Sequence, residues 1–147
     1  MRSLKRIELV VVCVVVLLSV ACGGGTATSP TSVVSVPFST VDLRVGSGAE
    51  ATTGRTVSVN YTGWVYSTSA ADNKGTQFDT SIGKSPLVFT VGAGRVIRGF
   101  DQGVVGMKVG GQRRIVIPPD LGYGSAGAGS IPPNATIIFD VDLLAVQ

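Results

Sequence analysis

The 147-residue chain contains no histidine. That removes Ser-His-Asp and Cys-His catalysis and every histidine-ligated metal site. It has two cysteines, Cys13 and Cys22, and Cys13 lies inside an apolar run. A chain cleaved after that run keeps one thiol and can form no internal disulfide. Charge is sparse: 12 Lys+Arg and 9 Asp+Glu make 14% of residues and a net charge of +3. Arg2, Lys5, Arg6 and Glu8 all precede the apolar run, so the remainder carries nine bases against eight acids. Those bases are scattered, with Arg113-Arg114 the one adjacent pair. A solvated face accounts for that pair better than phosphate contact does, and no nucleic-acid partner is expected.

Long apolar stretches are also scarce. The single one, Leu9 to Val20, accounts for much of the mean hydropathy of +0.42. It falls short of the roughly 20 residues that span a bilayer core. A basic start, a short apolar core and small residues at Ser19 and Ala21 read as a secretory signal over residues 1–21. Leu18-Ser-Val-Ala-Cys22 resembles a bacterial lipobox, in which the cysteine is lipidated and becomes the new N-terminus. It departs from that pattern in having Ser19 three places before the cysteine, and Ser19-Val20-Ala21 suits ordinary cleavage as well. Gly23 to Ser32 is a Gly/Thr/Ser tether, so residues 22–38 read as a flexible linker. The expectation is export and lipid anchoring at the bacterial cell envelope through Cys22, ahead of one domain over 39–147.

That domain is rich in period-two segments. Thr40–Val45, Arg55–Tyr66, Gln77–Asp79, Leu87–Val91, Gly111–Ile117 and Thr136–Leu144 read as strands. In the last, Ile137, Phe139, Val141 and Leu143 share one face, with Ile138, Asp140 and Asp142 on the other. Val96, Ile97, Phe100, Val104 and Val105 instead recur at helical spacing, which predicts an amphipathic helix over Ile97 to Met107. Several antiparallel strands and one short helix make an α+β domain. Gly99, Gly103 and Gly106 weaken that helix intrinsically, and close packing on the sheet is the expected compensation.

Most motifs dissolve on inspection. Gly122-Tyr-Gly-Ser-Ala-Gly127 has the GxGxxG spacing but lies between proline pairs in a loop, not between a strand and a helix. Gly83-Lys84-Ser85 lacks the upstream glycine of a P-loop. Asp140 and Asp142 imitate a carboxylate pair but read as exposed-face polarity. What remains is an apolar, aromatic set: Tyr61, Phe78, Asp79, Phe89, Val96, Ile97, Phe100, Tyr123, Ile131 and Phe139. Composition alone leaves open whether these are core or the lining of a small-ligand pocket.

Order and spacing decide between them. Val59-Asn-Tyr-Thr-Gly63, Gln77-Phe-Asp-Thr-Ser81, Gly92 to Phe100, Gly110 to Pro119, Tyr123-Gly124 and Ile131-Pro-Pro-Asn-Ala-Thr136 with Phe139 to Leu144 together resemble an FKBP domain. The resemblance runs from about Val41 to Val146. It implies an FKBP-like, half-wrapped antiparallel β-sheet around one short α-helix and peptidyl-prolyl cis-trans isomerase activity, with no cofactor and no metal. Carried over by motif, Tyr61, Asp79, the backbone of Ile97 and Tyr123 are the catalytic candidates. Phe78, Leu87, Phe89, Val96, Phe100, Ile131 and Phe139 are the substrate-binding ones. The implied partners are proline-containing polypeptides and macrolides of the FK506/rapamycin type. Phe100 stands where many members have Trp, and Leu87 where an aromatic is common. The flap near Ala128, Gly129 and Ser130 is short, and Ser67 to Gly75 lengthens the loop before Phe78. The alternative from another class is a proline-peptide binding or chaperone module without turnover.

The tether generates a direct test. Metabolic labelling with a fatty acid is expected to mark the wild-type chain and to spare Cys22→Ser. Mature protein found free in the soluble exported fraction would mean ordinary cleavage after Ala21.

Overall fold

The computed structural model of the chain describes residues 36–147. The expected signal segment, Cys22 and most of the tether lie outside the described residues. Phe38, read from sequence as the last linker residue, is half-buried against the core. Six strands follow the alternating segments: β1 (Ser39–Arg44), β2 (Thr56–Tyr66), β3 (Lys74–Thr80), β4 (Leu87–Thr90), β5 (Gln112–Ile117) and β6 (Ile137–Val146). They form one antiparallel sheet in the order β1-β5-β6-β2-β3, with β4 also paired to β2. One helix, α1 (Arg98–Val104), lies on its concave face.

β2 organises the sheet because it is long enough for two partners on one edge. Thr56 to Val59 pair with β4, Thr62 to Tyr66 pair with β3, and β6 runs along the other edge. At the handover the Ser81 hydroxyl accepts the Tyr61 N–H at 2.9 Å and pairs with Asn60 Oδ1 at 3.1 Å. A buried hydroxyl thus satisfies a backbone donor that a strand would otherwise take. The inner face carries Val57, Val59, Ile115, Ile117, Ile137, Phe139, Val141 and Leu143, all buried.

The helix is shorter than its apolar periodicity predicts. Val105 is extended and Gly106 takes φ +83°, a left-handed conformation that ends a helix and turns the chain. Met107 still reaches the core, but from the turn beyond. The expected compensation for the glycines is visible at two of them. A Cβ on Gly99 would run into the Ile117 side chain, and one on Gly103 would sit 2.5 Å from Ile115 Cδ1. The spacing between helix and sheet is set by what lies in the gap, and here that is one side chain deep.

Two readings of polar residues are corrected. Arg113 and Arg114 do not share a solvated face; they point to opposite sides of β5 and both are committed. Arg113 donates to the carbonyls of Gly103 (3.0 Å) and Val105 (2.8 Å) at the helix end, and its Nε donates to Asp42 at 2.6 Å. Arg114 donates in bidentate fashion to Asp140 (2.8 and 3.1 Å), which also holds Lys74 Nζ at 2.6 Å. Asp140 is therefore not simple surface polarity: its side chain is only 13% exposed. Burial pushes its pKa up, but the hydrogen bonds from Arg114 and Lys74 outweigh that and hold it below the usual carboxylate range. Asp142 likewise accepts from Arg44 and Gln112. Ile138, assigned with the aspartates to the outer face, is fully buried between Val116 and Trp64 in register. Lys74 covers that side, 4.2 Å from the Trp64 ring centroid.

Gly103→Ala tests the close approach. Alanine favours an isolated helix by about 1 kcal/mol. Overpacking against Ile115 is expected to reverse the sign and destabilise by about 1–3 kcal/mol. Calorimetry should show Tm falling by roughly 4–8 °C for each kcal/mol lost. The exposed control Gln102→Ala should show no fall.

Candidate active site

A row of directly opposed residues crosses the concave face: Ile115 on β5, Phe139 on β6, Gly63 on β2 and Asp79 on β3. Ile115 supports the helix. Gly63 contributes no side chain, and a Cβ there would lie 2.6 Å from the rings of both Phe78 and Phe139. Its absence lets those two rings meet. The β2–β3 register then slips by one residue, from Gly63 opposite Asp79 to Trp64 opposite Gln77. Phe78 is the extra residue, and the bulge brings both Phe78 and Asp79 to the same side.

The result is a cavity of about 150 Å³ lined by Tyr61, Phe78, Asp79, Leu87, Val96, Ile97, Phe100, Tyr123 and Phe139. Nine of the eleven residues expected around a pocket therefore come together. Phe89 and Ile131 do not line it. Phe89 is buried behind Phe100, their centroids 5.8 Å apart. Ile131 is buried at the foot of a tight turn in which Ala128 and Ile131 exchange backbone hydrogen bonds.

Phe100, buried at the start of α1, sits among edge-to-face rings. Its centroid is 5.0 Å from Phe139 and 5.8 Å from Tyr61, at interplanar angles of 85° and 78°. Phe78 meets Phe139 at 5.5 Å and 89°. Such T-shaped pairs set the positive ring edge against a negative face and hold one another in place. Asp101 fixes the approach to the helix. Its buried carboxylate accepts the N–H groups of Gly92 (2.7 Å) and Gly94 (3.3 Å), securing the loop that presents Val96 and Ile97.

The polar groups are few. The Tyr61 hydroxyl donates to Asp79 Oδ2 at 2.5 Å, while Asp79 Oδ1 accepts the Thr80 N–H at 2.8 Å. Burial, then the hydrogen bond and negative charge of Asp79, push the Tyr61 pKa up to about 12. Burial, followed by the charge of Asp79, also raises that of Tyr123. No described residue accepts from the Tyr123 hydroxyl or from the Ile97 N–H. Among the described residues no group of three His, Cys, Asp or Glu side chains could hold a metal ion. The arrangement can enclose a small apolar ring and offer it oriented hydrogen bonds. Its one hydroxyl–carboxylate pair, Tyr61 with Asp79, has the phenol pKa raised and not lowered, so it is no activated nucleophile.

Sequence reasoning did not single out Gly63, Ser81 or Asp101. A lone glycine inside an alternating strand was the available signal for Gly63, since it marks close approach or a bulge. Nothing in the pattern distinguishes the other two from surface polarity.

A protein-family model described as FKBP-type peptidyl-prolyl cis-trans isomerase matches residues 48–144. The chain belongs to that family. FKBP relatives include an FK506-binding protein of Neisseria meningitidis serogroup A, 49% identical over 107 residues, which cover 71% of this chain and 92% of that protein. FK506-binding protein 1B of Neurospora crassa is 48% identical over 103 residues, 69% of this chain and 91% of that one. Among solved structures, AtFKBP13 superposes with a TM-score of 0.64 at 35% identity, covering 75% of this chain and 93% of its own. FkpA from Escherichia coli gives 0.63 at 39% identity, and the chain spans only 48% of that protein. The six-stranded antiparallel sheet with one helix is the FKBP fold.

The Tyr61–Asp79 pair has a spectroscopic consequence. Phenolate absorbance should show one of the three tyrosines ionising near pH 12, and Tyr61→Phe should remove that step. Because the folded pKa is raised, the stability contributed by Tyr61 is fully present below the ordinary value near 10 and is lost as pH rises towards 12. A Tyr61 midpoint near 10 would count against the pair.

Proposed function

We propose that this FKBP domain accelerates rotation about Xaa-Pro bonds of exported polypeptides by seating proline in the aromatic cavity and favouring the twisted amide. The observation that carries this reading is a half-open aromatic cavity lined by Phe100, Tyr61, Phe78 and Phe139, with one engaged carboxylate among its lining residues. Amide resonance sets a rotation barrier of about 18–20 kcal/mol. Uncatalysed exchange takes tens to hundreds of seconds. Rotation breaks no covalent bond, so neither nucleophile nor proton acceptor is required.

A catalyst must bind the twisted amide better than either planar form. Twisting reduces charge separation between oxygen and nitrogen. Water favours the planar dipole; an apolar cavity does not. In this reading the proline ring rests on Phe100 and the Ile97 N–H holds a substrate carbonyl. The Tyr123 hydroxyl positions the peptide. Asp79 fixes the Tyr61 hydroxyl and biases the local field, which is stronger in a low-dielectric site. Leu87 at the cavity edge suits an apolar residue before proline. The FK506 binding named for the relatives would use the same cavity. Cys22, if lipidated, would keep the domain at the envelope where such clients emerge.

The experiment is turnover of a short Leu-Pro peptide by a fragment starting at Val36, which retains Phe38. Acceleration above the uncatalysed rate at micromolar protein is expected; its absence with peptide still bound would favour the non-catalytic module. Two variants separate the roles. Asp79→Asn preserves shape and should lower kcat, tenfold for about 1.4 kcal/mol of lost transition-state stabilisation. Phe78→Ala opens the wall and should chiefly raise KM. Complete loss in Asp79→Asn with binding intact would call for a chemical role of the carboxylate.

A further inference from the structure

Strand β2 changes partners part-way along one edge. Thr62 and Gly63 pair with β3, whereas Thr56 to Val59 pair with β4. Asn60 and Tyr61 fall in the gap, where neither β3 nor β4 supplies a register partner. Tyr61 is also the residue whose hydroxyl meets Asp79 and whose ring stands edge to face with Phe100 and Phe139. A residue of the cavity wall thus lies where the ladder on that edge is interrupted. Its main-chain groups still need partners, because a buried donor or acceptor left alone is costly.

Ser81 closes the gap. It lies one residue past the end of β3 and is 4% exposed, although Ile82 beside it is 58% exposed. Its N–H donates to the Tyr61 carbonyl at 2.9 Å, and its hydroxyl accepts the Tyr61 N–H at 2.9 Å. That hydroxyl has one proton to give, and Asn60 Oδ1 takes it at 3.1 Å. A lone pair is left for the Tyr61 amide, so the orientation of the group is determined. The Thr80 hydroxyl donates to the same Tyr61 carbonyl at 3.1 Å. With Asp79 accepting from the phenol, three consecutive residues hold the amide, the carbonyl and the hydroxyl of Tyr61.

Resting on the activity proposed above, we infer that Ser81 is a positioning residue for the reaction: its hydroxyl locks the main chain of Tyr61 so that the phenol stays on Asp79. Asp79 and Ser81 belong to one short stretch, so both ends of Tyr61 are referred to the same three residues. Without the Ser81 hydroxyl the Tyr61 N–H must shift to find another acceptor, and the phenol shifts with it. A hydrogen bond weakens steeply as its angle departs from linear, so a small displacement loosens the phenol from the carboxylate. Phe100 and Phe139 come from α1 and β6 instead, and their placement does not depend on this gap. Removal of the hydroxyl therefore tells on turnover more than on binding.

The test uses the full-length chain, with phenolate absorbance to follow Tyr61 and exchange spectroscopy by NMR on a Leu-Pro peptide to follow turnover. In Ser81→Ala the Tyr61 step should fall from near pH 12 by about one unit, because burial, the larger cause of its elevation, remains. The same variant should lose about five- to tenfold in kcat while KM stays within about twofold. Ser81→Thr keeps a hydroxyl and should restore both readings. In a Tyr61→Phe chain there is no phenol to place, so adding Ser81→Ala should lower kcat by less than about twofold further. Thr90→Val removes the hydroxyl contact with Thr56, elsewhere on the same edge of β2, and should move neither the Tyr61 step nor kcat. A Tyr61 step and a kcat unchanged in Ser81→Ala overturn the inference. So does an equal loss of kcat with and without the phenol, which would make Ser81 a support of the fold alone. Should Ser81→Ala fail to fold, Asn60→Ala frees the hydroxyl without removing it and carries the same two readings; no change in either overturns the inference. Absence of turnover in the wild type would instead defeat the proposed activity, and the Tyr61 step alone would then decide the placement.

Discussion

At its two buried glycines the helix rests on β5 with only an isoleucine side chain between. Gly99 meets Ile117 and Gly103 meets Ile115, and neither gap would admit a methyl group. Everything at the site inherits that distance. Phe100 lies between the two glycines, so the depth at which its ring sits beneath Tyr61 and Phe139 is the depth at which the helix lies. The same contact brings the end of the helix within reach of Arg113, which fastens it to β5 and, through Asp42, to the edge strand β1. Two residues with poor helix propensity are therefore what make a seven-residue helix a precise support.

The site above that support offers shape and polarity: an aromatic cavity with one hydrogen-bonded carboxylate. Its rings hold one another edge to face, which orients them without hydrogen bonds. The bulge at Phe78 spends one irregular residue to bring an aromatic ring and a carboxylate to the same edge. Asp79 does not face the cavity as a bare charge, because two donors already satisfy it. Such a site fits the function proposed above, in which a bond would turn without being broken and exclusion of water from a polar amide would count for more than any reactive group.

Much of this was legible in the sequence because alternation and helical spacing are properties of local backbone geometry. All six strands and the helix were found that way, and nine of the proposed pocket residues surround one cavity. The misreadings share a cause: each depends on a partner distant in sequence. Asp140 looks like surface until Arg114 and Lys74 are brought to it. Helical spacing carries on to Met107, but Gly106 turns left-handed where its N–H donates to the carbonyl of Ala51. Phe89 and Ile131 belong to the right motifs, yet packing places them behind the lining rather than in it. Gly63 shapes the cavity by having nothing to show.

The solitary tryptophan has a practical bearing on how the molecule is watched. Trp64 stands next to Gly63, so the alternation of β2 turns its indole away from the aromatic cavity, towards Ile138 and Lys74. Its emission should therefore follow the opening of the outer ionic layer and the unfolding of the sheet, while remaining nearly blind to what occupies the concave side. The one indole of this chain thus monitors the integrity of the scaffold independently of the ligand.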